Sequence, residues 1–396
     1  MMSDTGIYTL LNVGKIVAGI NSIGALKDIV ADFGAQKVLI ITDQGVWHAG
    51  LIEKPKSILE SAGIQVAIIN DTPPEPDVQQ VNEIFEAAKA IECQMIIGIG
   101  GGSAMDVAKI ISIMLTNDVT LRELLAGAKI EKDGIPTLMI PTTAGTGSEA
   151  TPNAIVLVPE QELKIGIVSN KMMPNCVILD PLMTVKLPQA ITASTGMDAL
   201  AHAIECYISK KANPFSDTFA LKAINLISRS LRTAYNEGQD TDARHDMILG
   251  AMFGGMCIAT SSTTAVHALA YPLGGKYRIP HGLSNAILLP HVMKFNMDAT
   301  EEKFKDIAIA MSINVTGLST REAAEKMIEN LYSLIKDLNI QCNLRDKGIT
   351  ECDLDLMVES ASKVTRLLNN NPKPMTKDDI REIYKQLFFS GIETVS

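Results

Sequence analysis

The first 187 residues alternate short β-branched runs with amphipathic helical stretches, and this alternation constrains the fold more than any other feature. Parallel strands need a crossover connection, usually a helix, so the alternation predicts a mainly parallel sheet covered by helices. Helical stretches at 78–92 and 104–116 separate several of the runs. The predicted strands are KVLIIT (37–42), QVAIIN (65–70), QMIIGI (94–99), PTLMI (136–140), AIVLV (154–158) and CVIL (176–179).

After about Pro188 the pattern changes, because strand-like runs almost vanish and long segments with helical periodicity follow. One of these helices has a visible start, where Ser319 is followed by Glu322 in the spacing of a capping box. We therefore expect an α/β domain at residues 1–187 and an all-α domain at residues 188–396.

Charge and composition exclude several classes of protein. A net charge of -10 argues against a nucleic-acid surface, and no apolar run is long enough to cross a bilayer. The N-terminus lacks the pattern of a signal peptide. Six cysteines without CxxC spacing fit reduced thiols, so we expect a cytoplasmic protein. They are Cys93, Cys176, Cys206, Cys257, Cys342 and Cys352.

Four residues of the helical half form a candidate metal site. Asp198 and His202 have i, i+4 spacing, which places both side chains on one helix face. His267 and His281 flank a Gly-Gly pair and a proline, so their rings can converge. One carboxylate and three imidazoles suit Fe(II), Zn(II), Mn(II) or Ni(II), and the ligand set does not choose among them. His48, His245 and His291 are interpreted as ordinary core or surface residues.

Two glycine-rich turns follow predicted strands and suggest a phosphate-bearing cofactor. In residues 98–110, Gly100, Gly101 and Gly102 would let a phosphate approach the main chain, with Ser103 available to cap the following helix and to donate. A tight turn without a ligand explains a single such cluster equally well. The second turn, at 141–151, makes that explanation weaker, because ligands of α/β sheets bind at strand ends.

Asp43 ends the strand KVLIIT, where an acid can accept hydrogen bonds from ribose hydroxyls and repel a 2′-phosphate. In the usual dinucleotide fingerprint the acid follows the glycines, whereas Asp43 precedes them. The site is therefore expected to be dinucleotide-like without the ordinary arrangement. The alternative role for Asp43 is a helix N-cap or turn residue.

Taken together, these motifs resemble the iron-containing (group III) alcohol dehydrogenases over nearly the whole chain. The resemblance rests on GGGSAMDVAK, PTTAGTGSE, LDP at 179–181, GMDALAHAIE and HALAYPLGG…IPHG. It implies an N-terminal dinucleotide-binding domain and a C-terminal metal-binding domain, the fold shared with dehydroquinate synthase. It also implies an active site between the domains and a homodimer or larger homo-oligomer.

The resemblance also implies roles for individual residues. Asp198, His202, His267 and His281 correspond to the metal ligands, and iron, as Fe(II), becomes the first choice of metal. Asp43 matches the acid that favours NAD over NADP. The implied phosphate contacts are Gly101, Gly102, Ser103, Thr142 and Thr143. The positions similar to those lining the ribose and nicotinamide are Thr151, Asn153, Lys164 and Met183.

Two positions depart from the family pattern. Tyr271 stands where many members carry a histidine beside the nicotinamide, so it is expected to donate a hydrogen bond or to shape the pocket. Glu75 stands in PEP where many members read PNP. If its carboxylate points inward, it would disfavour acidic substrates, and otherwise it is a solvent-facing loop residue.

The expected activity is NAD-linked interconversion of a short primary alcohol and its aldehyde, with His267 and Tyr271 at the catalytic centre. The metal would polarise the substrate oxygen while hydride passes to or from C4 of the nicotinamide. Two alternatives stay open: a fold-related metal- and NAD-dependent lyase or cyclase, and a catalytically silent metal or nucleotide binder. The sequence around the histidines shows no basic cluster beyond Lys276 and Arg278.

Overall fold

The computed structural model describes residues 6–161, 163–341 and 343–388. Cys342 lies outside the described residues. The other five cysteines are free thiols, and four of them are buried.

Six parallel strands form the sheet of the N-terminal half, in the order β1-β8-β5-β4-β2-β3. The central strand β4 is buried along its whole length, which explains its continuous apolar sequence. The strands are β1 (Lys15–Ala18), β2 (Lys37–Ile41), β3 (Gln65–Ile69), β4 (Met95–Gly100), β5 (Thr137–Pro141), β6 (Asn153–Val158), β7 (Leu163–Val168) and β8 (Cys176–Leu179).

The sequence AIVLV does form a strand, β6, but not in this sheet. It pairs antiparallel with β7 in a separate hairpin. Its residues alternate between buried and half-buried, as expected for a strand with one covered face. The sequence pattern locates such a strand without identifying its partner, and strands β1 and β7 were not predicted.

Helices cover the sheet as the alternation predicts. Helix α4 packs through one apolar face, on which Val78, Val81, Ile84 and Ala88 are buried. It begins at Asp77, which forms a capping box with Gln80. The helices of this half are α1 (Leu26–Asp32), α2 (Gln44–His48), α3 (Glu53–Ser61), α4 (Val78–Lys89), α5 (Gly102–Met114) and α6 (Leu121–Leu125).

The C-terminal half is helical, and its described residues contain no strand after β8. The predicted capping box at Ser319 and Glu322 is confirmed. The helices are α7 (Gln189–Ile208), α8 (Pro214–Asn236), α9 (Thr241–Thr260), α10 (Ala265–Gly275), α11 (His281–Ala310), α12 (Thr320–Asp337), α13 (Leu354–Ser362), α14 (Thr365–Leu368) and α15 (Lys377–Gln386). A two-domain α/β plus all-α fold is confirmed, while the boundary at 187/188 stays a prediction; it falls just before α7.

Among the described helices, none is by itself long and apolar enough to span a membrane. One pair, α9 and α10, meets the length and composition test only when joined, across a bend of 104°.

Candidate metal centre and cofactor cleft

The four predicted ligands converge on one point at the wall of a cleft of about 600 Å³. Helix α7 supplies Asp198 and His202 from adjacent turns of one face. His267 comes from the first turn of α10, and His281 begins α11. One donor atom from each residue lies within 4.8 Å of the other three.

Asp198 lies at the middle of this group. Its Oδ1 is 3.8 Å from Nε2 of His202, 3.9 Å from Nε2 of His267 and 3.8 Å from Nε2 of His281. These separations suit donors that surround one ion rather than donors that bond to one another. The mixed imidazole and carboxylate set fits Fe(II), Zn(II) or a similar divalent metal.

Two residues that the sequence analysis did not select organise the donors. Asn285, one turn after His281, places its Nδ2 2.6 Å from Oδ1 of Asp198 and 3.1 Å from Nε2 of both His267 and His281. Fully buried Glu205 accepts a hydrogen bond from Nδ1 of His267. That bond leaves Nε2 of His267 as the free lone pair facing the other donors.

The protonation equilibria of Asp198, His202 and His281 also favour a cation. Burial alone would raise the pKa of Asp198, but the three imidazoles hold it below its ordinary value. Burial lowers the pKa of His202, and it lowers that of His281 to about 3. For His267, Glu205 outweighs burial and raises the pKa. The cluster therefore carries an ionised acid and neutral rings at His202 and His281 near neutral pH.

The first glycine turn lies at the N-terminus of α5, at the carboxyl end of β4. Gly101 is the N-cap, and Gly102 packs so closely on Thr146 that a Cβ would lie 2.8 Å from its Cγ2. The first-turn N–H groups of a helix attract anions, so this turn suits a phosphate. Ser103 lines the cleft beside it but does not cap α5 as expected, because its Oγ instead accepts the N–H of Glu75 at 3.0 Å.

The second turn is joined to the first and also ties the two halves of the chain together. The N–H of buried Thr142 donates to Gly100 O at 3.0 Å, and Thr143 lies against Gly101. Gly147 has φ +62°, and a Cβ there would be 2.6 Å from the main chain of Gly255 in α9. This glycine is therefore required by domain packing as well as by its left-handed conformation.

Helix α9 carries a second glycine beside that contact. Gly254 faces α7, where its Cβ position is 3.5 Å from Ala199 O and 3.5 Å from Cβ of His202. Gly254 thus packs on α7, which carries Asp198 and His202, and Gly255 packs on the second glycine turn.

Asp43 is a helix N-cap, and its second carboxylate oxygen faces the first glycine turn. Its Oδ1 caps α2 by accepting the N–H of Val46 at 2.9 Å. Its Oδ2 points at the first turn, 3.0 Å from the position of a Cβ on Gly100. The carboxylate therefore lies beside the turn predicted to hold the cofactor phosphates.

The remaining predicted cofactor residues divide into two groups. Thr151, Asn153 and Lys164 line the cleft. The side chain of Met183 is 5% exposed and packs in the core under the sheet, and it is not among the residues that line the cleft.

Glu75 lies in the cleft wall, but its charge is paired. Its carboxylate contacts Nζ of Lys164 at 2.6 Å, and the Lys164 side chain is only 7% exposed. Glu75 has a positive φ of 51°, an unfavourable conformation for a residue with a Cβ. The bond to Ser103 and a bond from Leu157 N–H to Pro76 O hold this loop in place.

Tyr271 lines the cleft on α10, and two basic residues that the sequence analysis missed line the cleft as well. Arg366 of α14 lies near the Tyr271 hydroxyl and opposes the rise of its pKa, and Lys211 lies in the loop after α7. Lys276 and Arg278, the cations nearest the histidines in sequence, do not line this cleft. No local pattern marks Arg366, because it reaches the site only through the packing of α14 against α10.

Comparisons with known proteins agree with this geometry over both halves of the chain. The family model described as iron-containing alcohol dehydrogenase matches residues 14–181, and that of the Fe-containing alcohol dehydrogenase family, C-terminal, matches residues 192–388. The 1,3-propanediol dehydrogenase of Klebsiella pneumoniae is 39% identical over 372 residues, covering 93% of this chain and 96% of that protein.

Two further proteins extend the likeness. The NAD-dependent methanol dehydrogenase of Bacillus methanolicus is 36% identical over 365 residues, covering 91% of this chain and 96% of that protein. The crystal structure of a 1,3-propanediol oxidoreductase superposes with a TM-score of 0.92 at 38% identity, covering 97% of this chain and 100% of that one.

Proposed function

The chain belongs to the iron-containing alcohol dehydrogenase family and is a metal-dependent, NAD-linked oxidoreductase of alcohols and aldehydes; we propose that its substrate is a short primary alcohol or the matching aldehyde. One observation carries this proposal. Three of the four convergent metal donors and a phosphate-type turn line a single cleft, so a substrate at the donors and a cofactor at the turn would share it.

We assign metal ligation to Asp198, His202, His267 and His281, with iron as the expected metal. Support comes from the common point of their donor atoms and from Glu205, which fixes the tautomer of His267. When bound, the metal would act as a Lewis acid toward the substrate oxygen, and NAD would accept or return a hydride.

We assign the cofactor phosphates to Gly101, Gly102, Ser103, Thr142 and Thr143, on the support of the helix N-terminus behind them. Asp43 would accept hydrogen bonds from the adenosine ribose, favouring NAD over NADP. Thr151, Asn153 and Lys164 are proposed to border the ribose and nicotinamide. Met183 remains a predicted contact only, since its side chain lies in the core.

Tyr271 is proposed to position the substrate rather than to remove a proton. Burial raises the pKa of its hydroxyl although Arg366 opposes this, so the group stays protonated near neutral pH. A protonated phenol donates a hydrogen bond, and the substrate oxygen beside His267 is its natural acceptor in the cleft.

We further propose a cytoplasmic homodimer or larger homo-oligomer. Free, mostly buried thiols support a reducing compartment. Exposed Ile7, Leu10 and Ile16, on and just before the edge strand β1, support a self-association surface there.

The test is NADH absorbance with short alcohols and aldehydes, with Fe, Zn, Mn and Ni supplied separately. We expect metal-dependent turnover that falls by at least about 1,000-fold in Asp198→Ala or His267→Ala, since one partner of a catalytic metal site is lost. His48→Ala, a change at an exposed histidine outside the cleft, is the control.

The same assay separates the alternatives. A lyase or cyclase would convert its substrate without net change in NADH, and a silent binder would give no NAD-linked rate with any substrate. Full activity of Asp198→Ala in chelated buffer would remove the metal from the mechanism.

A further inference from the structure

The charged residues of the cleft do not cancel. Two carboxylates line it, and each has its own cation: Glu75 is paired with Lys164, and Asp106 contacts Nζ of buried Lys109 at 3.0 Å. Asp106 also accepts the N–H of Ile155 and the hydroxyl of Ser148. Neither carboxylate is therefore free to neutralise a third cation in the cleft.

Lys211 and Arg366 remain as cations in the wall of the same cleft. In the part of the chain that the structure describes, neither forms an ion pair with a carboxylate. Both side chains are exposed, so water solvates them until a ligand binds, and a cation that lines a cleft without a carboxylate partner is available to an anionic ligand.

Arg366 lines the same cleft as three of the metal donors, so it can act on the same small molecule. Its helix α14 packs against α10, where Tyr271 lies one helical turn after His267 and also lines the cleft. A guanidinium has five N–H donors, so a neighbour at one of them leaves others available to a ligand.

Lys211 follows the helix that carries the other two ligands. Helix α7 brings Asp198 and His202 to the site and ends at Ile208, and Lys211 lies in the next loop, with its main chain held by Ser209 and Asn213. The two unpaired cations thus approach the cleft from different elements, α14 and the loop after α7.

We propose that the substrate is a short aldehyde or alcohol that carries an anionic group, a carboxylate or sulfonate, which Arg366 and Lys211 bind while the reacting oxygen lies at the four metal donors. This inference rests on the proposed function and narrows it. It reverses the expectation that the Glu75 carboxylate disfavours acidic substrates, because Lys164 already neutralises the charge of that carboxylate. The planar guanidinium also suits two-point binding of such oxyanions.

The experiment compares anionic aldehydes with neutral ones of similar length in the metal-loaded enzyme. The probes are 4-oxobutanoate and its methyl ester, and 2-oxoethanesulfonate and propanal, with NADH consumption as readout. We expect kcat/KM to favour each anion by about 10- to 100-fold, the effect of one or two charge-assisted hydrogen bonds, mainly through KM.

The variants Arg366→Gln and Lys211→Gln test the assignment. Each should reduce the ratio of anionic to neutral kcat/KM by about 10-fold or more, and Arg366→Lys should retain part of it because the charge remains. Lys210→Gln, at an exposed neighbour that does not line the cleft, should leave the ratio unchanged.

The outcomes distinguish this inference from the proposed function. Metal-dependent turnover without preference for the anions, or a preference that survives Arg366→Gln and Lys211→Gln, would overturn the inference and leave the dehydrogenase assignment standing. No turnover with either class would overturn the proposed function itself, and the inference with it.

Discussion

The carboxylate of Glu205 is completely buried beneath His267 and accepts a hydrogen bond from its Nδ1. The same carboxylate accepts the N–H groups of Thr264 and Val266 at 3.1 and 2.7 Å, and the Thr264 hydroxyl at 2.6 Å. Glu205 therefore holds both the start of α10 and the His267 ring in the first turn of that helix. Both the position of the His267 ring and its tautomer therefore depend on this one carboxylate.

Glu205→Gln should weaken metal binding by about 10- to 100-fold, the usual effect of losing a partner behind a ligating histidine. A glutamine can turn its N–H₂ toward Nδ1, which would move the ring proton to Nε2 and remove a donor. Chelator competition on the purified protein measures the affinity, and excess metal should restore most of the activity. Unchanged affinity would show that the tautomer needs no carboxylate.

Gly255→Ala should destabilise the protein by about 1–3 kcal/mol, because the new methyl group would lie 2.2 Å from Gly147 O. The adjacent substitution Gly254→Ala is the matched control. Its methyl group meets nothing closer than 3.5 Å, so helix propensity should make it neutral or stabilising by up to about 1 kcal/mol. Urea unfolding of the two variants gives the comparison, and equal stabilities would contradict the close contact.

Glu149 should make stability fall as the pH rises. Burial raises the pKa of this carboxyl from 4.5 to about 7, although its own main-chain N–H and Lys109 oppose the shift. Between those values the folded state keeps a proton that the unfolded state has released, so the free energy of unfolding decreases with pH. The loss is on the order of 3 kcal/mol by pH 7.

Glu149→Gln removes this titration, so the variant should lose less stability than the natural protein between about pH 4.5 and pH 7. Denaturant unfolding across that range, at fixed ionic strength and in the presence of chelator, measures the difference. Parallel curves for the two proteins would mean that the carboxyl titrates normally.

Asp43→Ser should raise the ratio of NADP to NAD efficiency by at least about 10-fold, because a negative charge beside the first glycine turn is removed. A serine still caps α2, so stability should hold, whereas Asp43→Ala should show the same cofactor change and lose about 1 kcal/mol. Steady-state kinetics with both cofactors, together with thermal melts, separates the two effects. A ratio that does not move would place the ribose elsewhere.

Local patterns were sufficient to locate the four convergent donors and to predict the fold class. Asp198 and His202 do lie one turn apart in α7, and the break at 276–280 between α10 and α11 does let His267 and His281 converge. The β-branched runs and the helical periodicity also distinguished the α/β half of the chain from the all-α half. These features are encoded within a few residues, which is the range over which periodicity is informative.

Contacts between distant segments were not predictable in the same way. Glu205 had a signal, since it lies three residues after His202 on the same helix, but its depth behind His267 depends on packing. Arg366 and Lys211 reach the cleft from α14 and from a loop, and no spacing rule links them to the histidines. The pairing of β6 with β7 likewise followed from tertiary structure.

The two neighbouring glycines of α9, Gly254 and Gly255, set the spacing between α7 and the second glycine turn. Gly254 touches the turn of α7 that carries His202, and Gly255 touches the main chain of the loop that faces the phosphate turn. With no side chains between these surfaces, main-chain contacts set the distance between α7 and the second glycine turn, and rotamer changes leave that distance unaltered. Because a misplacement of about 1 Å can cost a reaction roughly 100-fold in rate, a rigid spacing here would hold a substrate at the metal donors close to a bound nicotinamide.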